Sequence, residues 1–231
     1  MEQNNLSIGQ AINDGWNGFK EYPGPAIGGF FLAWVILFVL GFIPLINIIS
    51  SLFITPAFVG GFAILSLNLK DRNDPQISNV FDGFSKYGRF LGLYWLILLI
   101  VIGCYIPGGI LVIIGAAVES TALIVIGAIV GIVVVIIAGI RLCLCFLIAS
   151  DTELTAPACI QKSFELTKGN SLTIFLWYLA AFGITIVGVL CLFIGVFVTT
   201  PIVWISLASV YRQLAGEKQE TKTEKPAESK A

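Results

Sequence analysis

Six runs of apolar residues, at about 25–46, 48–69, 90–117, 122–149, 171–190 and 191–211, set the pattern of the chain. Each approaches the roughly 20 residues that an α-helix needs to cross the hydrocarbon core of a bilayer. A backbone in lipid must satisfy its own hydrogen bonds, which a helix does. The pattern predicts an all-α fold, a polytopic bundle of six transmembrane helices. A different kind of segment precedes the first, third and fifth runs. There apolar residues recur at helical spacing among polar ones, as in a helix lying along the membrane surface.

In the first such segment, SIGQAINDGWNGFKEYPG, the stripe is Ile8, Ala11, Ile12, Trp16 and Phe19, while Asn13, Asp14, Asn17 and Lys20 lie largely on other faces. Ser7 followed by Gln10 is a capping-box start. The second, DPQISNVFDGFSKYG, reads as a helix capped by Asp74 with Pro75 at its first position and a stripe of Ile77, Val80, Phe81 and Phe84. The third begins at Thr155 and carries Cys159, Ile160, Phe164 and Thr167. Each has a Lys shortly before a Gly (Lys20 and Gly24, Lys86 and Gly88, Lys168 and Gly169), a combination that suits a helix C-terminus. Trp16, Phe81, Phe84 and Phe164 are the expected anchors at headgroup level.

The chain therefore reads as three parallel units of interface helix plus two-span hairpin, at about 7–69, 74–150 and 155–214, forming one integral membrane domain over 1–214. The repeat is visible in the letters: ITPAFVGGFAILSLNL at 54–69 aligns without a gap with TTPIVWISLASVYRQL at 199–214. Pro56 and Pro201 hold equivalent places, each after a Thr whose hydroxyl can bond a carbonyl left free by the missing N–H. Kinks are expected at Pro56, at Pro201 and at Pro107 of the PGG stretch. Residues 215–231 alternate Lys with Glu and lack large apolar side chains, which predicts a disordered cytoplasmic tail.

Composition agrees: 57% of the residues are hydrophobic and 12% charged, with a mean hydropathy of +0.94, far from the proportions of soluble domains. The polar, amphipathic stretch ahead of the first run does not fit a secretory signal, so the N-terminus is expected to be retained. A formal net charge of −1 gives no reason to expect a nucleic-acid partner. Its distribution is more informative. Lys20, Lys70, Arg72, Lys86, Arg89, Lys162, Lys168 and Arg212 fall in segments that an even number of spans puts on one side. The opposite hairpins hold one acid, Glu119, and no base. The positive-inside rule then predicts a multi-pass protein of the inner (plasma) membrane with both termini in the cytoplasm.

Candidate chemistry is sparse. The absence of histidine removes His-based acid–base and nucleophilic systems and His metal sites. GFSKYG at 83–88 misses the nucleophile-elbow pattern, and no phosphate-loop motif is present. Cys143 and Cys145 lack metal-site spacing, and free thiols are expected. Asp71, Asp74, Asp82, Asp151, Glu153 and Glu165 gather on the cytoplasmic side, either as solvated loop charge or as a divalent-cation site. Neither a metal nor a cofactor is expected. Within the spans the ionisable side chain is Arg141. Such a charge either snorkels toward the headgroups or contacts an anion or lipid phosphate between helices.

Ser163, Leu166, Lys168, Gly169, Pro201 and Tyr211 carry a resemblance. Over about the last third of the chain they resemble a broad group of uncharacterised prokaryotic six-span integral membrane proteins, a group similar to the membrane domain of some glycerophosphodiester phosphodiesterases. The catalytic barrel of those enzymes has no counterpart in these residues. The resemblance thus implies an envelope or lipid-related setting and no activity of its own. The expected function is non-enzymatic: a scaffold or accessory factor whose partners are membrane lipids and a protein or a second copy of the chain. A small-molecule or lipid transporter is the alternative. A membrane-embedded enzyme is a third class, without a recognisable catalytic constellation.

Overall fold

The computed structural model describes residues 6–191 and 195–216, and every regular element among them is helical. The tail expected over 215–231 lies outside the described residues from 217 onward. In chain order the α-helices are α1 (Ile8–Glu21), α2 (Pro23–Gly41), α3 (Pro44–Ile49), α4 (Thr55–Asp71), α5 (Asp82–Ser85), α6 (Tyr87–Ala117), α7 (Thr121–Leu142), α8 (Cys145–Asp151), α9 (Ala156–Thr167), α10 (Ser171–Leu190) and α11 (Val196–Ala215). A π-turn, Ser50–Ile54, joins α3 to α4, and a 3₁₀ turn, Ile77–Phe81, precedes α5.

Five stretches are long and apolar enough to cross a membrane: Pro23–Gly41, Pro44–Asp71, Tyr87–Ala117, Thr121–Asp151 and Ser171–Leu190. This makes the chain an all-helical membrane protein. The last helix, α11, is 20 residues long but lies outside that set. It buries three polar side chains, Thr199, Ser206 and Ser209, against one, Ser66, on α4.

The core is built around α4 and α11, whose buried faces mix small residues (Ala57, Gly60, Gly61 and Ala63 on α4, Ala208 on α11) with large apolar ones (Phe58, Leu65 and Leu69 on α4, Ile202 and Ile205 on α11). The amphipathic α1 rests on α11 through Gly15, where an added Cβ would stand 2.6 Å from the Ile202 carbonyl oxygen. Such close approach is what the small residue permits. Trp177 of α10 is buried and its indole N–H donates to Ser206 Oγ of α11 at 2.8 Å, tying these two helices in the apolar interior. The hairpin of α6 and α7 closes on itself through Gly108, Gly115 and Gly127, where backbones touch. Its outer face, with Leu99, Ile106 and Ile113 or Val125 and Ile132, is exposed.

Several local expectations change. The second interface segment starts at Ile77 rather than at Pro75. Its N-terminus is closed by Gln76 and Asn79, whose side chains each bond the other's backbone. Asp74 instead takes a left-handed backbone, φ 43°. Of the three glycines expected to end interface helices, Gly169 has positive φ, +89°, whereas Gly24 and Gly88 lie inside α2 and α6. Ser7 does cap α1, accepting from the Gln10 N–H at 3.3 Å. Its own N–H is taken by Gln213 of α11 at 2.8 Å. The predicted continuous span 122–149 is interrupted at residues 143–144, between α7 and α8.

The three prolines sit in different helical contexts. Pro56 follows the π-turn, and Thr55 Oγ1 donates to the Ser50 carbonyl at 3.2 Å. A π-turn is one of the ordinary accommodations to a missing N–H. Both α6 and α11 are assigned as single helices through Pro107 and Pro201.

Candidate functional site

The charged side chains gather where α4, α8 and α11 end together. These three C-termini concentrate the negative ends of helix dipoles, and two of them terminate in acids, Asp71 and Asp151. Arg212 answers both. Its Nε lies 3.2 and 3.1 Å from the Asp71 carboxylate oxygens and its Nη2 2.5 Å from Oδ2. Toward Asp151, Nη1 and Nη2 lie at 2.8 and 2.9 Å. Tyr211 OH donates to Asp151 at 2.7 Å. A planar guanidinium can engage two carboxylates this way where an ammonium cannot. Beside the clamp is a polar cavity of about 160 Å³, lined by Asn68, Asn73 and Ser150 with the three charged residues.

Around this junction the remaining acids are also engaged. Asp14, placed by its pattern on the polar face of α1, turns inward to accept from Ser209 Oγ at 2.6 Å and to pair with Lys70 at 3.3 Å. Glu153 pairs with Arg89 and, at 2.9 Å, with Lys86. Hydrogen bonds from these two hold its carboxyl well below the usual range, at about 2. Arg89 also donates to the Ala149 and Thr152 carbonyls at 3.2 and 2.7 Å, closing the end of α8. Asp74 and Asp82 accept from Gln76 and Asn79, and Glu165 pairs with Lys162. Of the six acids, Asp71 and Asp151 thus share Arg212, and the other four have partners of their own. No group of three metal-ligating side chains occurs among the described residues, and the five cysteines are free thiols.

Arg141 stands apart from this junction. It is the penultimate residue of α7, and its Nη1 reaches Thr167 Oγ1 at 3.3 Å, at the end of α9. Its carbonyl, left without an intrahelical partner as α7 stops, accepts from Ser163 Oγ at 2.6 Å. Two residues of the motif before the last hairpin therefore have local work: Ser163 ties α9 to α7, and Gly169 turns the chain into α10. Trp16, Phe81, Phe84 and Phe164 are all exposed, at 46, 40, 42 and 43%. Trp16 stacks on Phe19 and lies under Lys20 Nζ, while Phe81 and Phe84 both pack edgewise on Phe58.

Away from the charged end the hollows are apolar. One, of about 330 Å³, lies among α2, α4 and α11 beside Phe30, Trp34, Phe62 and Phe197. Another, about 560 Å³, is a half-open groove between α7 and α10. The Arg212 clamp was not visible in the sequence, because it joins residues 141 and 61 positions apart. The one signal was that two apolar runs end in an Asp. Set against known proteins, the chain matches no family model, no curated protein and no solved structure.

Proposed function

We propose that this chain is a non-enzymatic membrane-embedded binding protein, a scaffold or accessory in envelope or lipid-related processes. In this reading it crosses the inner membrane six times, with α11 as the sixth span and both termini in the cytoplasm. The observation that carries the reading is the separation of polarity. The clamped, ion-paired residues lie at one end, and the hollows beside Trp34 and between α7 and α10 are lined almost wholly by apolar side chains. Such hollows accept lipid or an apolar partner helix and offer no polar path for a hydrated solute. The element order supports three units: α1, α2 and α3–α4; the 3₁₀ turn with α5, α6 and α7–α8; then α9, α10 and α11. Bases clustered around the clamp support the cytoplasmic assignment of that end.

The test is native mass spectrometry of the full chain released gently from its own membranes. A stoichiometric protein partner or second copy is expected, and Trp16→Asp should release it, because that substitution puts a carboxylate into an exposed apolar anchor. Association that survives Trp16→Asp and the matching change at Phe84 would refute the role of these faces. A chain released with neither a protein partner nor a second copy would count against this reading and favour the alternative, transport.

A further inference from the structure

The groove between α7 and α10 has open space beside one of its glycines. Where α6 meets α7, glycines bring the backbones together, so that a Cβ on Gly108 would stand 2.7 Å from the Gly127 carbonyl. Gly139, which lines the α7/α10 groove, has nothing within 4 Å of the position its Cβ would take. A small residue here leaves a hollow unfilled. The walls are Ile136 and Ile140 from one helix and Phe175, Tyr178, Leu179 and Phe182 from the other. From Phe175 to Phe182 the wall runs about 10 Å along the helix axis.

At the charged end of this groove stands Arg141, directly after Ile140. Thr167, which its guanidinium touches, precedes the first residue of α10 by four positions, so both walls reach the cation's level. The chain has four arginines. Arg72 pairs with Glu21, Arg89 with Glu153 and Arg212 with two aspartates, whereas Arg141 has no carboxylate partner among the described residues. Its one side-chain bond is to a neutral hydroxyl at 3.3 Å. A cation at the membrane boundary without a protein anion is favoured by an anion from the membrane itself.

We propose that the α7/α10 groove is a binding site for one anionic phospholipid of the leaflet at the charged end, with an acyl chain against Gly139 and the phosphate on Arg141. The proposal rests on the membrane-embedded reading above and names a ligand for it. A continuous apolar trough leading from the cation selects a lipid phosphodiester over a free anion. Ser163 and Thr167 serve as positioning residues: one holds the Arg141 carbonyl, and the other orients the guanidinium while donating its own proton to the Ser163 carbonyl at 2.8 Å.

The experiment uses the purified full chain in mild detergent, titrated with phosphatidylglycerol or phosphatidylcholine and read by native mass spectrometry. One retained phosphatidylglycerol per chain is expected in preference to phosphatidylcholine. Arg141→Gln should reduce that preference about fivefold, the scale of one basic residue at an anionic surface. Gly139→Leu, which fills open space, should reduce retention of both lipids, and an unchanged melting temperature would verify that it folds. Equal retention of the two lipids by the unaltered chain would overturn the proposal, as would a full preference in Arg141→Gln. Displacement of the lipid by inorganic phosphate would overturn it in favour of a free anion. Because the protein is purified, failure here leaves partner capture from native membranes as a separate outcome.

Discussion

Gly61 of α4 lies against the 3₁₀ turn at Val80, and Gly83 of α5 against α4, so closely that neither site has room for a methyl group. A Cβ on Gly61 would overlap the Val80 carbonyl oxygen and come within 2.6 Å of its carbon. One on Gly83 would overlap the Ala57 carbonyl oxygen and stand 2.7 Å from Gly61 N. These obstacles are backbone atoms, so a rotamer change cannot relieve them. The substitution Gly61→Ala should therefore fall at the upper end of the usual overpacking penalty, about 3 kcal/mol. It regains about 1 kcal/mol of helix propensity, leaving a net loss of about 2 kcal/mol. At about 2–4 °C per kcal/mol for a chain of this size, the melting temperature in detergent should drop by about 4–8 °C. Gly92, exposed on α6 with nothing within 4 Å, is the internal control, and Gly92→Ala should melt at or above the unaltered chain. Since Gly61 and Gly83 act on one contact, Gly61→Ala combined with Gly83→Ala should cost less than the sum of the two. A Gly61→Ala variant that melts with Gly92→Ala would refute the reasoning, because the backbones of α4 and of the 3₁₀ turn at Val80 would then not be in contact.

Two further outcomes follow from the charged junction. Arg212→Ala leaves Asp71 and Asp151 partly buried and facing each other, which should lower stability by about 2 kcal/mol, the scale of losing hydrogen bonds to charged groups; Arg212→Lys, with one point charge for two carboxylates, should recover only part of it in the same melt, and full recovery would argue against the bidentate clamp. Glu153 has its carboxyl lowered from 4.5 to about 2 in the folded chain, so its contribution is complete above about pH 4.5 and is lost as pH falls toward about 2. Stability profiles of the unaltered chain and Glu153→Gln should therefore separate above that window and converge at its acid end, and parallel curves would show that the ion pairs with Arg89 and Lys86 contribute nothing.

Much of the fold was legible because each rule involved was local. Apolar run length marked six stretches, five of which are long and apolar enough to cross a membrane, as lipid forces a backbone to close its bonds within one helix. The Ser7 cap and the Thr155 start of α9 were readable from adjacent residues for the same reason. The errors arose where side-chain bonds that the pattern does not reveal overrode it. Asp74–Pro75 has the form of a helix start, yet reciprocal bonds between Gln76 and Asn79 set the beginning two residues later. Residues 143–144 carry no breaker of the usual kind; there α7 gives way to α8, and Ser163 from another helix satisfies the Arg141 carbonyl.

By itself the sequence determined the solvent this protein lives in, the spacing of its long helices and the end at which its charges collect, since hydropathy and charge act through composition over about 20 residues. Tertiary structure alone decided which charges meet. Asp14, read as surface polarity, became the partner of Ser209, and Arg212 became a clamp on two helix ends. It also decided that Gly139 borders open space while Gly108 lies against the backbone of the next helix. A glycine has the same letter in both places, and only the distance to the next helix tells whether it serves contact or space.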